Sequence, residues 1–244
     1  IRYLSKKKFK REKIIVFAKR NYKAMIEFMY RDNKNISVRA IDNDPNIEEE
    51  QINIITKKNN YKIIKVGFDY FVKQSKSKKK MTIDMIFYKQ LKIPFKYRFK
   101  YSYWKRDKKR ENNLYKKLVK NKNYAFVHDD PSRNFLIKND FINPSLQIIR
   151  NSSKVNIFDY GKILEKAKEI HVMESSIRCM LETLNTGKSK HFLYDFVGGP
   201  WKSMPFKVKS KQWRGTIKNW KLIKVNYKEK NSFQKIINKI FNNF

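Results

Sequence analysis

Short apolar runs bounded by charges alternate along this chain with stretches whose apolar residues recur at helical spacing. Lys13-Ile14-Ile15-Val16-Phe17-Ala18 predicts a buried strand. Tyr22 to Tyr30 sets Ala24, Met25, Phe28 and Met29 on one helical face, and Ile36 to Ile41 alternates as a strand does. Asp44-Pro45 breaks that strand. Asn46 can cap a helix through Lys57, with Glu48, Glu49 and Glu50 in the first turn, where the helix dipole favours acids. Tyr61 to Val66 predicts a third strand. Strand, helix, strand, helix, strand is the rhythm of a parallel sheet with covering helices.

Gln74 to Lys80 is a polar connector, and Met81 to Leu91 predicts a helix ended by Pro94. Phe95 to Trp104 crowds aromatic residues among basic ones, and Arg106 to Lys120 predicts a charged helix with Leu114, Tyr115 and Leu118 facing inward. A domain boundary falls near residues 95–110. The rhythm then restarts. Strands are predicted at Tyr124–Val127, Gln147–Arg150, Glu169–Met173, His191–Val197 and Trp220–Tyr227. Helices are expected from Tyr160 to Ala167, capped by Asp159, and from Ser175 or Ser176 to Leu184. Asn231 opens a terminal amphipathic helix carrying Phe233, Ile236, Ile237, Ile240 and Phe241 on one face.

Ligands of open α/β sheets sit outside the carboxyl ends of the strands, and two segments fall there. His128-Asp129-Asp130-Pro131-Ser132-Arg133 gathers an imidazole, two carboxylates, a hydroxyl and a guanidinium able to grip a phosphate with two parallel bonds. The same string also reads as an ordinary polar turn. Glu174-Ser175-Ser176 stands at a strand-to-helix turn, where unpaired N–H groups attract anions, and where serines also serve simply as caps. His171 falls within a strand and reads as structural. Cys179 lies between Ile177 and Met180 and reads as core. No Gly-rich phosphate loop, nucleophile elbow or metal-ligand spacing is present in the sequence.

Composition changes this picture less than its charge suggests. The 244 residues carry 58 Lys+Arg against 22 Asp+Glu, a formal charge of +36, with 41% hydrophobic and 15% aromatic residues to fill a core. Such a balance points first to nucleic acid, and the aromatic-basic tract Tyr97 to Trp104 resembles a single-strand stacking platform, although it reads more readily as a segment packed between the two halves with its basic residues outward. Against that, 12 of the basic residues are Arg and 46 are Lys, in a chain also rich in Asn and Ile. A/T-rich codons supply all three residue types, so a drifted basic surface explains much of the excess. One cysteine excludes an internal disulfide framework and fits a reducing compartment. No apolar run approaches the ~20 residues of a membrane span.

The strand YAFV followed by HDDPSR, with NIFDYGKILEKAKEIHVMESSIRCMLETL after it, resembles the C-terminal half of GT-B glycosyltransferases, the heptosyltransferase-like group in particular. The resemblance is sharpest over residues 124–184 and extends over about residues 1–200. It implies an α/β protein of two Rossmann-like domains with parallel sheets. Residues 1–105 would form the acceptor-side domain, 106–230 the donor domain, and 231–244 a helix packing back on the first. It implies transfer of a sugar from a nucleotide-activated donor to a glycan or lipid-linked acceptor, with the nucleotide-sugar as a substrate, no cofactor and no metal. Ser132, Arg133, Glu174, Ser175 and Ser176 would bind the donor, and His128 and Asp129 would supply acid–base chemistry. The chain departs from the pattern before Ile1, where such proteins carry a first strand and an acidic base, and a truncated N-terminus is the matching expectation. The expected setting is cytoplasmic, with peripheral contact to acidic membrane. The rival expectation is a nucleic-acid-binding protein using its lysines and residues 97–104.

Overall fold

The computed structural model describes residues 1–64, 66, 83–131, 135–196 and 218–225. Two parallel sheets organise them, as the alternating rhythm predicts. The smaller pairs β1 (Ile14–Lys19) with β2 (Ile36–Ile41), Ile14 opposite Ile36, across the helix α1 (Lys23–Tyr30). The helices α2 (Pro45–Lys58), α3 (Ile83–Gln90), α4 (Tyr97–Tyr101) and α5 (Lys108–Leu118) follow. The larger sheet contains β3 (Tyr124–Val127), β4 (Gln147–Arg150), β5 (Glu169–Met173), β6 (Lys190–Asp195) and β7 (Trp220–Lys224). All its pairings are parallel, in the order β4-β3-β5-β6-β7. The helices α6 (Gly161–Lys166) and α7 (Ser176–Leu181) lie between its strands in sequence.

That strand order has one reversal. From β3 the chain moves outward to β4, then returns past β3 to lay down β5 and continue the other way. The crevice between β3 and β5 is therefore the point where the strand order of the sheet reverses.

Period-two alternation divides the strand side chains between two cores. Tyr124, Phe126, Ile170 and Val172 pack with Ile163 and Leu164 of α6 and Ile177, Met180 and Leu181 of α7. Ala125, Val127 and Met173 point to the other face and meet Phe135, Ile137 and Ile142 from the segment after β3. A parallel sheet needs both faces covered, which explains why β3 and β5 are buried at every position.

The first half joins the first of these cores through α1, whose Met25, Phe28 and Met29 pack against it. Phe28 stacks on Phe158 at 5.7 Å between ring centres, and Trp104 meets the same ring at 5.1 Å. The linker before α5 is tied by charge. Arg106 bonds both the buried Glu111 of α5 and Glu165 of α6, while Arg110 pairs with Asp159 at 2.6 Å. Gly161 makes the first arrangement possible, because a Cβ there would stand 2.7 Å from the Arg106 guanidinium.

Several expectations need correction. Residues 61–64 and 66 form no strand, and Tyr61, Ile63, Ile64 and Val66 are exposed. Apolar content alone did not secure a partner edge for them. Asp159 does not cap α6. Asn156 instead caps a 3₁₀ turn over Ile157–Tyr160 by accepting from the Phe158 N–H, which frees Asp159 for Arg110. Cys179 is exposed rather than core, since Ile177, Met180 and Leu181 form the inward face of α7. The aromatic tract 97–104, by contrast, packs as its favoured reading expects: Tyr97 and Tyr101 meet Tyr3, and Trp104 is buried. The expected terminal helix 231–244 lies outside the described residues, as does Gln74 to Lys80. Among the described residues no helix is long and apolar enough to cross a membrane.

Candidate functional site at the strand-order reversal

β3 ends at Val127, and one more ladder bond continues past it, from the His128 N–H to the His171 carbonyl at 2.8 Å. That bond fixes the backbone of His128 against β5 and leaves its imidazole at the carboxyl edge of the crevice. β5 ends at Met173, and the extended backbone of Ser175 caps α7, its Oγ accepting from the Arg178 N–H at 3.3 Å. The two side chains meet. Ser175 Oγ and His128 Nδ1 are 3.1 Å apart, one hydrogen bond bridging adjacent strand ends at the reversal.

Asp129 is occupied by structural work. Its carboxylate accepts from the Ile137 N–H at 2.8 Å and pairs with Arg150 at the end of β4. Arg150 in turn donates to the Ile137 carbonyl at 3.0 Å and to Asn139 Oδ1 at 2.6 Å. Asn151 clamps the Asp129 backbone from both sides, accepting from its N–H at 2.7 Å and donating to its carbonyl at 3.0 Å. Together these bonds seat the segment that covers one sheet face on the strand ends beside His128. An antiparallel bridge between Asp130 and Phe135 follows. Ser132 and Arg133 lie outside the described residues.

Glu174 turns back along α7 to Arg178, which donates to it from Nε at 3.0 Å and Nη2 at 2.5 Å. Arg178 is 2% exposed and also reaches Glu182 at 3.3 Å. Burial works against its charge, but the two carboxylates outweigh that cost and hold the guanidinium protonated above its ordinary range. Ser176 opens α7 and is exposed.

The other histidines are placed differently. His171 is fully buried between Tyr194, whose hydroxyl is 2.8 Å from Nδ1, and Glu169, 3.3 Å from Nε2. Burial pushes its pKa down despite the carboxylate. His191 is the second residue of β6, near the opposite edge, bonded to Thr186 Oγ1 at 2.9 Å. Burial, with Lys218 nearby, pushes its pKa down to about 4. Among the three histidines His128 alone stands at the carboxyl edge.

Sequence reasoning singled out His128, Asp129, Glu174, Ser175 and Ser176, and the structure brings these five to neighbouring strand ends. It missed Arg178 and Arg150. The first was legible as Glu174-x-x-x-Arg178-x-x-x-Glu182, a double i,i+4 pairing. The second was not, because its partners come from other segments. Compared with protein-family models, with curated proteins and with solved structures, the chain matches none.

Proposed function

We propose that the chain is a glycosyltransferase that moves a sugar from a nucleotide-activated donor to a glycan or lipid-linked acceptor. The observation carrying this reading is the Ser175–His128 hydrogen bond at the β3/β5 switch point, where open α/β sheets take nucleotides. The sequence resemblance over residues 124–184 supplies the reaction class. In the transfer, an acceptor oxygen bonds to the anomeric carbon and the bond from that carbon to the diphosphate breaks. The diphosphate leaves with the electron pair, and the acceptor proton passes to a base. Stabilising the leaving charge is the main catalytic demand.

In this reading Ser175 and Ser176 donate to the donor phosphates, and His128 exchanges a proton with the bridging oxygen or the acceptor. Asp129 and Arg150 act as positioning residues, holding His128 in place through the segment they anchor. Glu174, already bonded to Arg178, presents its remaining lone pairs to ribose or sugar hydroxyls. Ser132 and Arg133 belong to the set by sequence.

The test is turnover. Incubation with a panel of nucleotide-sugars is expected to release nucleoside diphosphate from at least one of them, and His128→Ala is expected to lower the rate by at least about 100-fold. No release from any donor, or full release by His128→Ala, contradicts the assignment.

A further inference from the structure

A helix cap needs only a side-chain oxygen that accepts, and Ser175 Oγ meets that need through the Arg178 N–H. Its own proton is left over. Among the described residues Oγ has one further partner, His128 Nδ1 at 3.1 Å, within the reach at which an imidazole activates a hydroxyl. The carboxylates beside the pair are engaged elsewhere. Asp129 is held by the Ile137 N–H and Arg150, and Glu174 by Arg178.

The described residues hold two further hydroxyl–imidazole pairs, Tyr194 with His171 and Thr186 with His191, but both hydroxyl residues are 2% exposed. Ser175 is half-buried and stands at the strand ends. It is therefore the hydroxyl of the three that a molecule arriving from solution can meet. β5, Ser175 and α7 follow one another directly as strand, turn and helix, the succession on which α/β enzymes mount a nucleophilic serine. Ser175 keeps an extended backbone (φ −161°, ψ 175°), so the adjacent end of β3, and not a strained elbow, aims the pair.

We propose that Ser175 is a nucleophile and His128 its base, giving the chain an esterase activity toward carboxylic esters. Oγ bonds to the ester carbonyl carbon as its proton passes to His128 Nδ1. The bond from that carbon to the alkoxy oxygen breaks, and the alcohol departs with the proton. Water then attacks the acyl-serine with His128 again as base, releasing the carboxylic acid and restoring the Ser175 hydroxyl. His128 is 9% exposed, so the approach to the base is narrow and favours short acyl chains.

Labelling the full chain with a biotin-tagged fluorophosphonate tests this without nucleotide or sugar, so its outcome is separate from that of the glycosyltransferase reading. In the reagent, phosphorus replaces the carbonyl carbon: Oγ bonds to it, fluoride leaves and the proton passes to His128. An adduct is expected at Ser175, located by peptide mass spectrometry. Methyl butyrate is expected to be hydrolysed, followed by release of acid. His128→Gln, which keeps the backbone bond to His171, is expected to slow both reactions at least about 100-fold. Labelling of the unmodified chain unfolded in urea is expected to fall as far, which isolates the contribution of the fold without any substitution. No adduct at Ser175, no acid from the ester, equal rates in a folded His128→Gln, or equal labelling of the native and unfolded chains overturns the inference.

Discussion

The Ser175 hydroxyl and the His128 imidazole are 47 residues apart in the chain and 3.1 Å apart in the fold. β3 delivers one and β5 the other, and the pairing of Val127 with His171 brings the two strand ends level. Ser175 therefore has two duties, capping α7 and facing His128, and a substitution can separate them. Asp caps a helix as well as Ser does but sets a carboxylate where a diphosphate would bind. Ser175→Asp is expected to keep stability within about 0.5 kcal/mol and to abolish nucleotide binding, measured by chemical denaturation and calorimetry. Ser175→Ala is expected to lose about 1 kcal/mol of stability along with the cap.

Arg178 spans two carboxylates on its own helix, and Glu182 is as buried as Arg178 itself, with Trp220 Nε1 donating to it at 3.3 Å. Removing the guanidinium leaves Glu182 charged and enclosed. Arg178→Met is expected to destabilise the fold by about 3–5 kcal/mol. Adding Glu182→Gln should recover part of that loss, because the buried charge goes with it. A double-mutant cycle in urea reads the coupling, and additive losses would show that the pair is not coupled.

Gly161 lies under the Arg106 guanidinium, which is pinned between Glu111 and Glu165 and cannot simply swing away. Gly161→Ala is expected to cost about 1–3 kcal/mol by pushing Arg106 off the buried Glu111, despite alanine's better helix propensity. A gain in melting temperature for this variant would contradict the packing described.

His171 and His191 make stability depend on pH in a defined direction. Both have pKa values pushed below the ordinary 6.5, His191 to about 4. The unfolded chain therefore takes up protons that the folded chain refuses as pH falls below about 6.5. Stability is complete above that value and is lost progressively toward pH 4, at up to about 1.4 kcal/mol per pH unit for each histidine. His191→Gln is expected to flatten this slope in urea titrations between pH 4 and 6.5, and an unchanged slope would show that His191 does not carry it.

The strands of the larger sheet were legible because each is a short apolar run, and Tyr124–Val127 and Gln147–Arg150 begin and end where the pattern places them. Pattern failed where a partner decides the outcome. Tyr61 to Val66 has strand composition, but its described residues pair with no neighbouring strand. Glu111 sits in a helix whose charges all read as solvated, yet Arg106 draws it into the interior. Cys179 is flanked by apolar residues, but a helix turns each position by about 100°, and its turn faces outward. The site divides the same way. His128 and Ser175 were each visible as strand-end residues, while their meeting depends on β5 returning beside β3, which no local signal encodes.

Thermal unfolding of the full chain with nucleoside diphosphates tests the central claim most directly. A ligand at 100 times its Kd adds about 2.7 kcal/mol, which in a chain of this size raises Tm by about 5–10 °C. Such a rise is expected with at least one nucleoside diphosphate for the unmodified chain and not for Ser175→Asp. No rise with any of them at millimolar concentration, or an equal rise in the variant, would contradict a nucleotide site at the Ser175–His128 pair.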